Sequence, residues 1–181
     1  EQTGRGRAVE TSLMAGALLY ATKVTGERID RHVFQTHPSG SAPFYSVYRS
    51  GDGKWVQLGC VHVGFIATAA GVLGIGDYVK EPRFGGGSAC KTPADDAELR
   101  ATLTRILQTK PYAVWADAFE KADVPFAEAR LTHEGLEDPQ VVHNGMVTTL
   151  QDPIAGPVTQ MGVPIALTAT PGRIAGPRAR A

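Results

Sequence analysis

Pro43-Phe44-Tyr45-Ser46-Val47-Tyr48-Arg49-Ser50-Gly51-Asp52-Gly53-Lys54-Trp55-Val56-Gln57-Leu58-Gly59 is the stretch whose reading decides the fold. Two runs rich in β-branched and aromatic residues flank Gly51-Asp52-Gly53, a strong short-range hairpin signal. A two-residue turn at Gly51-Asp52 or at Asp52-Gly53 gives registers two residues apart. Side chains alternate with period two, so either register places Tyr45 and Val47 on one face with Val56 and Leu58. Ser46 and Gln57 then fall on the other face. The hairpin is expected to wall a core through the apolar one.

Downstream of the hairpin the pattern turns helical. Val61 to Leu73 reads as a helix with Phe65, Ala69 and Val72 on its stripe and Gly74 or Gly76 at its end. Residues 76–94 are irregular and include Gly85-Gly86-Gly87, read as a flexible loop. The next helix is capped by Asp95 or Asp96 and buries Leu99, Leu103, Ile106 and Leu107. Thr109 is expected to cap a further helix, with Pro111 in its first turn and Tyr112, Trp115 and Phe119 on one side. Phe126 to Leu131 alternates as a strand. Asp138-Pro139 opens a helical turn that Gly145 closes. Met146–Leu150 and Val158–Met161 read as two strands joined across Asp152-Pro153-Ile154-Ala155-Gly156. After Pro164 the chain reads as loose.

Upstream, Val9 to Val24 reads as a helix with Leu13, Ala17 and Tyr20 at helical spacing and Thr11 or Ser12 able to cap it. Residues 25–42 lack periodicity and read as a linker. The result is an α+β module from about residue 43 to 131 with an arm at each end. A helix with an apolar stripe is not stable alone in water, so the first arm must pack on something. The chain opens at Glu1 with no initiator methionine and closes on Arg178-Ala179-Arg180-Ala181, so it is expected to be a piece of something longer.

Composition narrows the function classes. Lys plus Arg and Asp plus Glu both number 18 among 181 residues. A balanced charge argues against nucleic acid or an anionic membrane surface as the main partner. Cys60 and Cys90 are too few for a disulfide framework and read as reduced thiols. No apolar run reaches the ~20 residues of a membrane span. The expected location is therefore cytoplasmic.

Sites of chemistry are sparse. None of His32, His37, His62, His133 and His143 pairs with another at metal-ligand spacing, and Cys60 with His62 makes half a site, so no metal is expected. His62 stands out because it sits between a strand and a helix start, where sites are built. A polar residue at the helix start is its simpler role. Gly85-Gly86-Gly87-Ser88 lacks the strand before and helix directly after that a phosphate loop requires. Asp52, Asp95, Asp96, Asp138 and Asp152 are accounted for by caps and turns, and no pair of carboxylates reads as acid and base. From the residues alone, no catalytic constellation is present.

Taken together, the segments resemble the family III CoA-transferases, the group of formyl-CoA transferase, carnitine CoA-transferase and alpha-methylacyl-CoA racemase. The resemblance runs from Thr3-Gly4-Arg5-Gly6 and Ser12-Leu13 through Ala42-Pro43-Phe44-Tyr45, Tyr48-Arg49, Asp52-Gly53-Lys54-Trp55-Val56 and Leu58-Gly59. It continues through Leu73-Gly74, Pro82-Arg83-Phe84, Trp115, Val124-Pro125, Asp138-Pro139-Gln140-Val141, Gly145-Met146-Val147 and Thr170-Pro171-Gly172. Each motif is short; their order and spacing carry the resemblance.

What the resemblance implies is specific. Residues 1–24 would end a Rossmann-like large-domain half, 25–42 would be a crossing linker, 43–145 a small α+β domain, and 146–181 a strand hairpin and tail returning toward the large domain. Two such subunits would interlock as a homodimer. The chemistry would use an aspartate that attacks an acyl-CoA thioester to form a mixed anhydride, then passes CoA to a carboxylic acid acceptor. That aspartate would lie upstream, leaving no catalytic residue in this chain, which alone is expected to be inactive. Ser39, Gly40 and Ser41 match a glycine-rich loop over the active site, with one glycine instead of several, and with His62 they are the expected substrate-binding residues. The Ala-Pro-Phe-Tyr form suits the racemase branch as an alternative. A non-enzymatic binding module is the alternative of another class.

Overall fold

The computed structural model describes residues 4, 6, 8–21 and 42–176. In chain order its elements begin with strand β1 (Val9–Glu10), helix α1 (Leu13–Ala21), strands β2 (Val47–Arg49) and β3 (Trp55–Leu58), and helix α2 (Val63–Val72). Helices α3 (Pro93–Leu107) and α4 (Tyr112–Lys121), strand β4 (Phe126–Glu128), and short helices α5 (Thr132–Leu136) and α6 (Pro139–His143) follow. Strands β5 (Val147–Asp152), β6 (Gly156–Met161) and β7 (Ala166–Leu167) complete the chain. It is a mixed fold of helices and small antiparallel sheets. Two compact units divide it, Phe34–Arg130 on the one hand and Glu1–Val33 with Leu131–Ala181 on the other.

The central hairpin closes through a three-residue loop, one residue longer than either turn expected from Gly51-Asp52-Gly53. Ser50 N donates to Lys54 O at 2.8 Å and Gly53 N to Ser50 O at 3.0 Å. Gly53 takes φ +85°, the left-handed conformation this loop type demands. The pairs are therefore Val47–Gln57, Tyr48–Val56 and Arg49–Trp55. A one-residue change of register flips a whole strand. Tyr48 and Ser46, not Tyr45 and Val47, share the buried face with Val56 and Leu58; Tyr48 is 1% exposed and Tyr45 41%. The expected face assignment is corrected accordingly.

The hairpin tip is also docked. Gly51 N donates to Lys110 O at 2.8 Å, and a Cβ at Gly51 would lie 2.6 Å from Gln108 O. Asp52 accepts from Ser50 Oγ and Lys54 N, and both its oxygens accept from Tyr112 N at 3.2 Å. Asp52 thus supplies the capping acceptor at the start of α4, 60 residues away in sequence. Thr109, the expected cap, instead donates its hydroxyl to Ile106 O at the end of α3.

Strand β4 adds to β3 antiparallel, giving the sheet order β2-β3-β4. Its inner face packs with Ile66, Ala69 and Ala70 of α2, Leu99, Leu103 and Leu107 of α3, and Trp115 and Phe119 of α4. On α2, Ile66 and not Phe65 carries the buried stripe, and Phe65 is partly exposed. Helix α3 starts one turn earlier than read: Thr92 caps it, Asp95 closes a capping box, and Pro93 occupies the first turn. Gly85–Gly87 forms a 3₁₀ turn. Gly87 is buried at φ +83°, and a Cβ there would meet Phe44 at 2.7 Å and Ile66 at 2.9 Å. Read as a flexible loop, the run turns instead in 3₁₀ form and packs Gly87 into the core, while Gly85 and Gly86 are exposed.

In the other unit, Ala15 and Leu18 of α1 pack with Val141 and Met146. Of the expected stripe, Leu13 and Ala17 are exposed, Leu13 at 96%. Ser12 supplies the helix-start acceptor, taking Ala15 N at 3.1 Å. Val9 and Glu10, read as helix, form a strand that pairs with Leu167 and Ala166, so the segment after Pro164 is partly ordered by a partner more than 150 residues away. β5 and β6 pair from Val147–Met161 to Asp152–Gly156. The linker residues before Ala42 lie outside the described residues.

Candidate functional site

The first described residues after the linker are pinned on all sides. Tyr45 N donates to Ala42 O at 2.9 Å, and Cys60 N to Phe44 O at 3.0 Å. The Pro43 carbonyl accepts the Tyr48 hydroxyl at 2.5 Å. Ser46 and the Arg100 guanidinium stand beside that phenol and pull its pKa down against burial. Arg100 Nη1 donates to Ser46 Oγ at 3.1 Å and its Nε to Asp96 Oδ1 at 2.5 Å. Donated bonds thus lead from Arg100 to Ser46 and from Tyr48 to the Pro43 carbonyl, with Ser46 beside the phenol between them. Burial pushes the Tyr48 phenol above its ordinary value, with Arg100 opposing, so the hydroxyl keeps its proton and stays a donor.

Beside this relay lies an open cleft of about 330 Å³, lined by Ala42, Pro43, Asp96 and the segment Ser88–Pro93. Cys90 is in the lining. Burial first, then Asp96 and Asp95, raise its thiol above the ordinary value. A protonated thiol is a poor nucleophile, so Cys90 is not built for attack. Cys60 is buried and pushed up by burial to about 11; both cysteines are free.

The wall opposite the hairpin is braced by Arg83. Its Nη1 and Nη2 grip Glu98 at 2.6 and 2.8 Å, its Nε reaches Glu81 at 2.9 Å, and the guanidinium stacks 4.3 Å over Phe84. This bidentate fork ties the irregular Tyr78–Cys90 segment to α3. The brace was latent in Pro82-Arg83-Phe84, but its acceptor Glu98 lies 15 residues on, with no local signal.

Of the expected substrate-binding residues, Ser39, Gly40 and Ser41 lie outside the described residues. His62 is exposed at the start of α2, where its Nδ1 accepts Gly64 N at 3.1 Å and its ring meets the edge of Phe65 at 6.2 Å. An accepting Nδ1 assigns the neutral ring's proton to Nε2, which is left free to donate outward. His62 is not among the cleft's lining residues. Among the described residues, no group of three or more His, Cys, Asp or Glu is arranged to hold a metal. No described helix is long and apolar enough to cross a membrane. Sequence reasoning missed Tyr48, Ser46 and Arg100 because the hairpin register hid the face they share.

Comparisons with known proteins agree with this architecture. The family model for CoA-transferase family III matches residues 1–178. The chain belongs to the CoA-transferase family III. It is similar to (R)-2-hydroxy-4-methylpentanoate CoA-transferase of Clostridioides difficile, at 22% identity over 79% of this chain and 36% of that protein. It is equally similar to human succinyl-CoA:glutarate CoA-transferase, at 22% identity over 89% of this chain and 37% of that protein. Among solved structures, a CAIB/BAIF family protein from Brucella suis superposes with a TM-score of 0.60 at 20% identity, over 91% of this chain and 42% of that one. Rv3272 from Mycobacterium tuberculosis gives 0.56 at 17% identity, over 87% and 41%. The chain thus spans well under half the length of each of these relatives.

Proposed function

We propose that this chain is the small-domain portion of an acyl-CoA:carboxylate CoA-transferase, acting with a Rossmann-like large domain in an interlocked homodimer. The observation that carries the reading is the family match over residues 1–178, combined with relatives named for CoA transfer to two different carboxylic acids. The open apolar side of α1, with Leu13 almost fully exposed, supports a further polypeptide surface packing there. In this reading residues 1–24 and 146–181 belong with the large domain, 25–42 cross between domains, and 43–145 form the small one.

The nucleophile is then an aspartate supplied from outside this chain. Its carboxylate attacks the thioester carbonyl carbon, the C–S bond breaks, and CoA leaves as the thiolate from an aspartyl mixed anhydride. Ser39, Gly40, Ser41 and His62 contribute to binding acyl-CoA, His62 by donating from Nε2. The protein is cytoplasmic and uses no metal. The racemase alternative, favoured by the Ala42-Pro43-Phe44-Tyr45 form, predicts epimerised acyl-CoA in place of transferred CoA.

The test is CoA transfer by the full-length gene product from an acyl-CoA to a panel of carboxylic acids. Transfer is expected from that product and none from the present chain alone; transfer by the chain alone overturns the reading. His62→Asn keeps a helix-start acceptor while removing the imidazole. The reading expects His62→Asn and Gly40→Ala each to raise KM for acyl-CoA. Unchanged kinetics in both make the hairpin surroundings scaffold only.

A further inference from the structure

The polar relay behind the cleft is more than the packing of the hairpin needs. A Phe at position 48 would fill the same core space, whereas Tyr48 brings a hydroxyl to 1% exposure that must be matched. It donates to Pro43 O, and Ser46 and the Arg100 guanidinium stand beside its oxygen. Arg100 is itself held by Asp96, which lines the cleft from α3. The relay thus joins the two walls of the cleft, Ala42-Pro43 and the first turns of α3, through side chains that do not line it. Neighbouring hydrogen bonds polarise one another and stiffen as a unit.

We infer that Tyr48, Ser46 and Arg100 are positioning residues, fixing the Ala42–Pro43 wall against α3 and so holding the cleft in shape as the small-domain flank of the acyl-CoA site. The inference rests on the CoA-transferase reading above. Its chemistry is that of a wall and not of a reacting group: the cleft offers apolar Ala42, Pro43, Ala89 and Pro93 beside the polar Ser88, Lys91 and Thr92, a surface suited to the amide-bearing arm of a CoA thioester.

Cys90 reports on the cleft without any assay of catalysis, because its thiol lies in the lining while Cys60 is buried and serves as internal control. The experiment follows alkylation of Cys90 by iodoacetamide in the full-length protein, read by peptide mass spectrometry, with and without acetyl-CoA. Tyr48→Phe and Ser46→Ala are each expected to speed Cys90 labelling by about threefold through local opening. The double variant is expected to match the single ones, since both cut one relay. Acetyl-CoA is expected to slow labelling about fivefold in the wild type and less in either variant. In steady-state kinetics KM for acetyl-CoA rises while kcat stays near the wild-type value.

Labelling rates unchanged in both variants, or additive in the double variant, overturn the relay. Faster labelling with no protection by acetyl-CoA, in a protein that does transfer CoA, overturns the placement of the cleft at the acyl-CoA site. A lower melting temperature with KM unchanged reduces Tyr48 to a core residue and overturns its positioning role. A full-length protein with no CoA transfer to any acceptor fails the functional reading instead, and the labelling rates still decide whether the relay shapes the cleft.

Discussion

Two antiparallel hairpins in this chain, β2–β3 and β5–β6, are held in opposite ways. The first has a third strand beside it, one face in the core, and a tip clasped to the start of α4 through Asp52 and Gly51. Among the described residues, the second pairs only with itself. Its turn is closed locally by Asp152, which accepts Ile154 N at 2.8 Å and Ala155 N at 2.9 Å, while Ile154 is 75% exposed. The second hairpin's turn is written in its own residues, and only its open end, Val147 and Met161, packs against a core. In the first, burial and tip docking choose a loop length that the turn residues leave open.

The sharpest way to break this contrast is to cut side chains from each. Leu58→Ala is expected to lower the unfolding free energy by about 2–5 kcal/mol. Val158→Ala, on a strand with more than a third of that side chain exposed, is expected to cost under about 1 kcal/mol. Urea titration of both variants checks this, and equal losses would dissolve the distinction.

Gly53→Ala probes the turn itself. At φ +85° a side chain is strained, so a cost of about 1–2 kcal/mol is expected in the same titration. A neutral result would mean that the three-residue loop gives way easily to a two-residue one, and with it the face that buries Tyr48.

Acid gives the smallest and most local effect. The Ser50 hydroxyl, ahead of the Tyr112 and Lys54 amides, holds Asp52 below its ordinary value of 3.8. Lys54, ahead of Arg130, holds Glu128 below 4.5. Both folded-state values are depressed, so the native state binds fewer protons than the unfolded chain in this range. Their stabilisation is complete above the ordinary values and is lost as pH falls through the lower native ones. Protection of the Tyr112 amide against hydrogen exchange should therefore fall between about pH 5 and about pH 3. Asp52→Asn should weaken that protection already at neutral pH. Protection insensitive to both changes would show that Asp52 does not hold the tip.

Much of the architecture was legible before any coordinates. The helical stripe Leu99-Leu103-Leu107, the Asp138-Pro139 helix start and the β5–β6 pair were all read from signals within a few residues. His62 was read as a polar helix-start residue and does cap α2. Errors fell where two answers are locally equal. Val9 and Glu10 continue a helical pattern as well as they form a strand, and only Leu167 and Ala166 decide. Thr109 is as good a cap by composition as Asp52, but Asp52 reaches α4 and Thr109 turns back to α3. On the candidate site, sequence pointed to Ser39, Gly40, Ser41 and His62, and gave no sign of the cleft or of the relay behind it.

By itself, then, the sequence determined most kinds of element between residues 43 and 161, their order, and the family, because caps, turns and short motifs are written in neighbouring residues. The tertiary structure decided which face of the central hairpin is buried, which carboxylate caps α4, and that Arg100 reaches Ser46 beside the Tyr48 hydroxyl bonded to Pro43. The reason is distance along the chain. Arg100 lies 54 residues from Ser46 and Asp52 lies 60 from Tyr112, and no local propensity records which of several equivalent partners a buried donor will find.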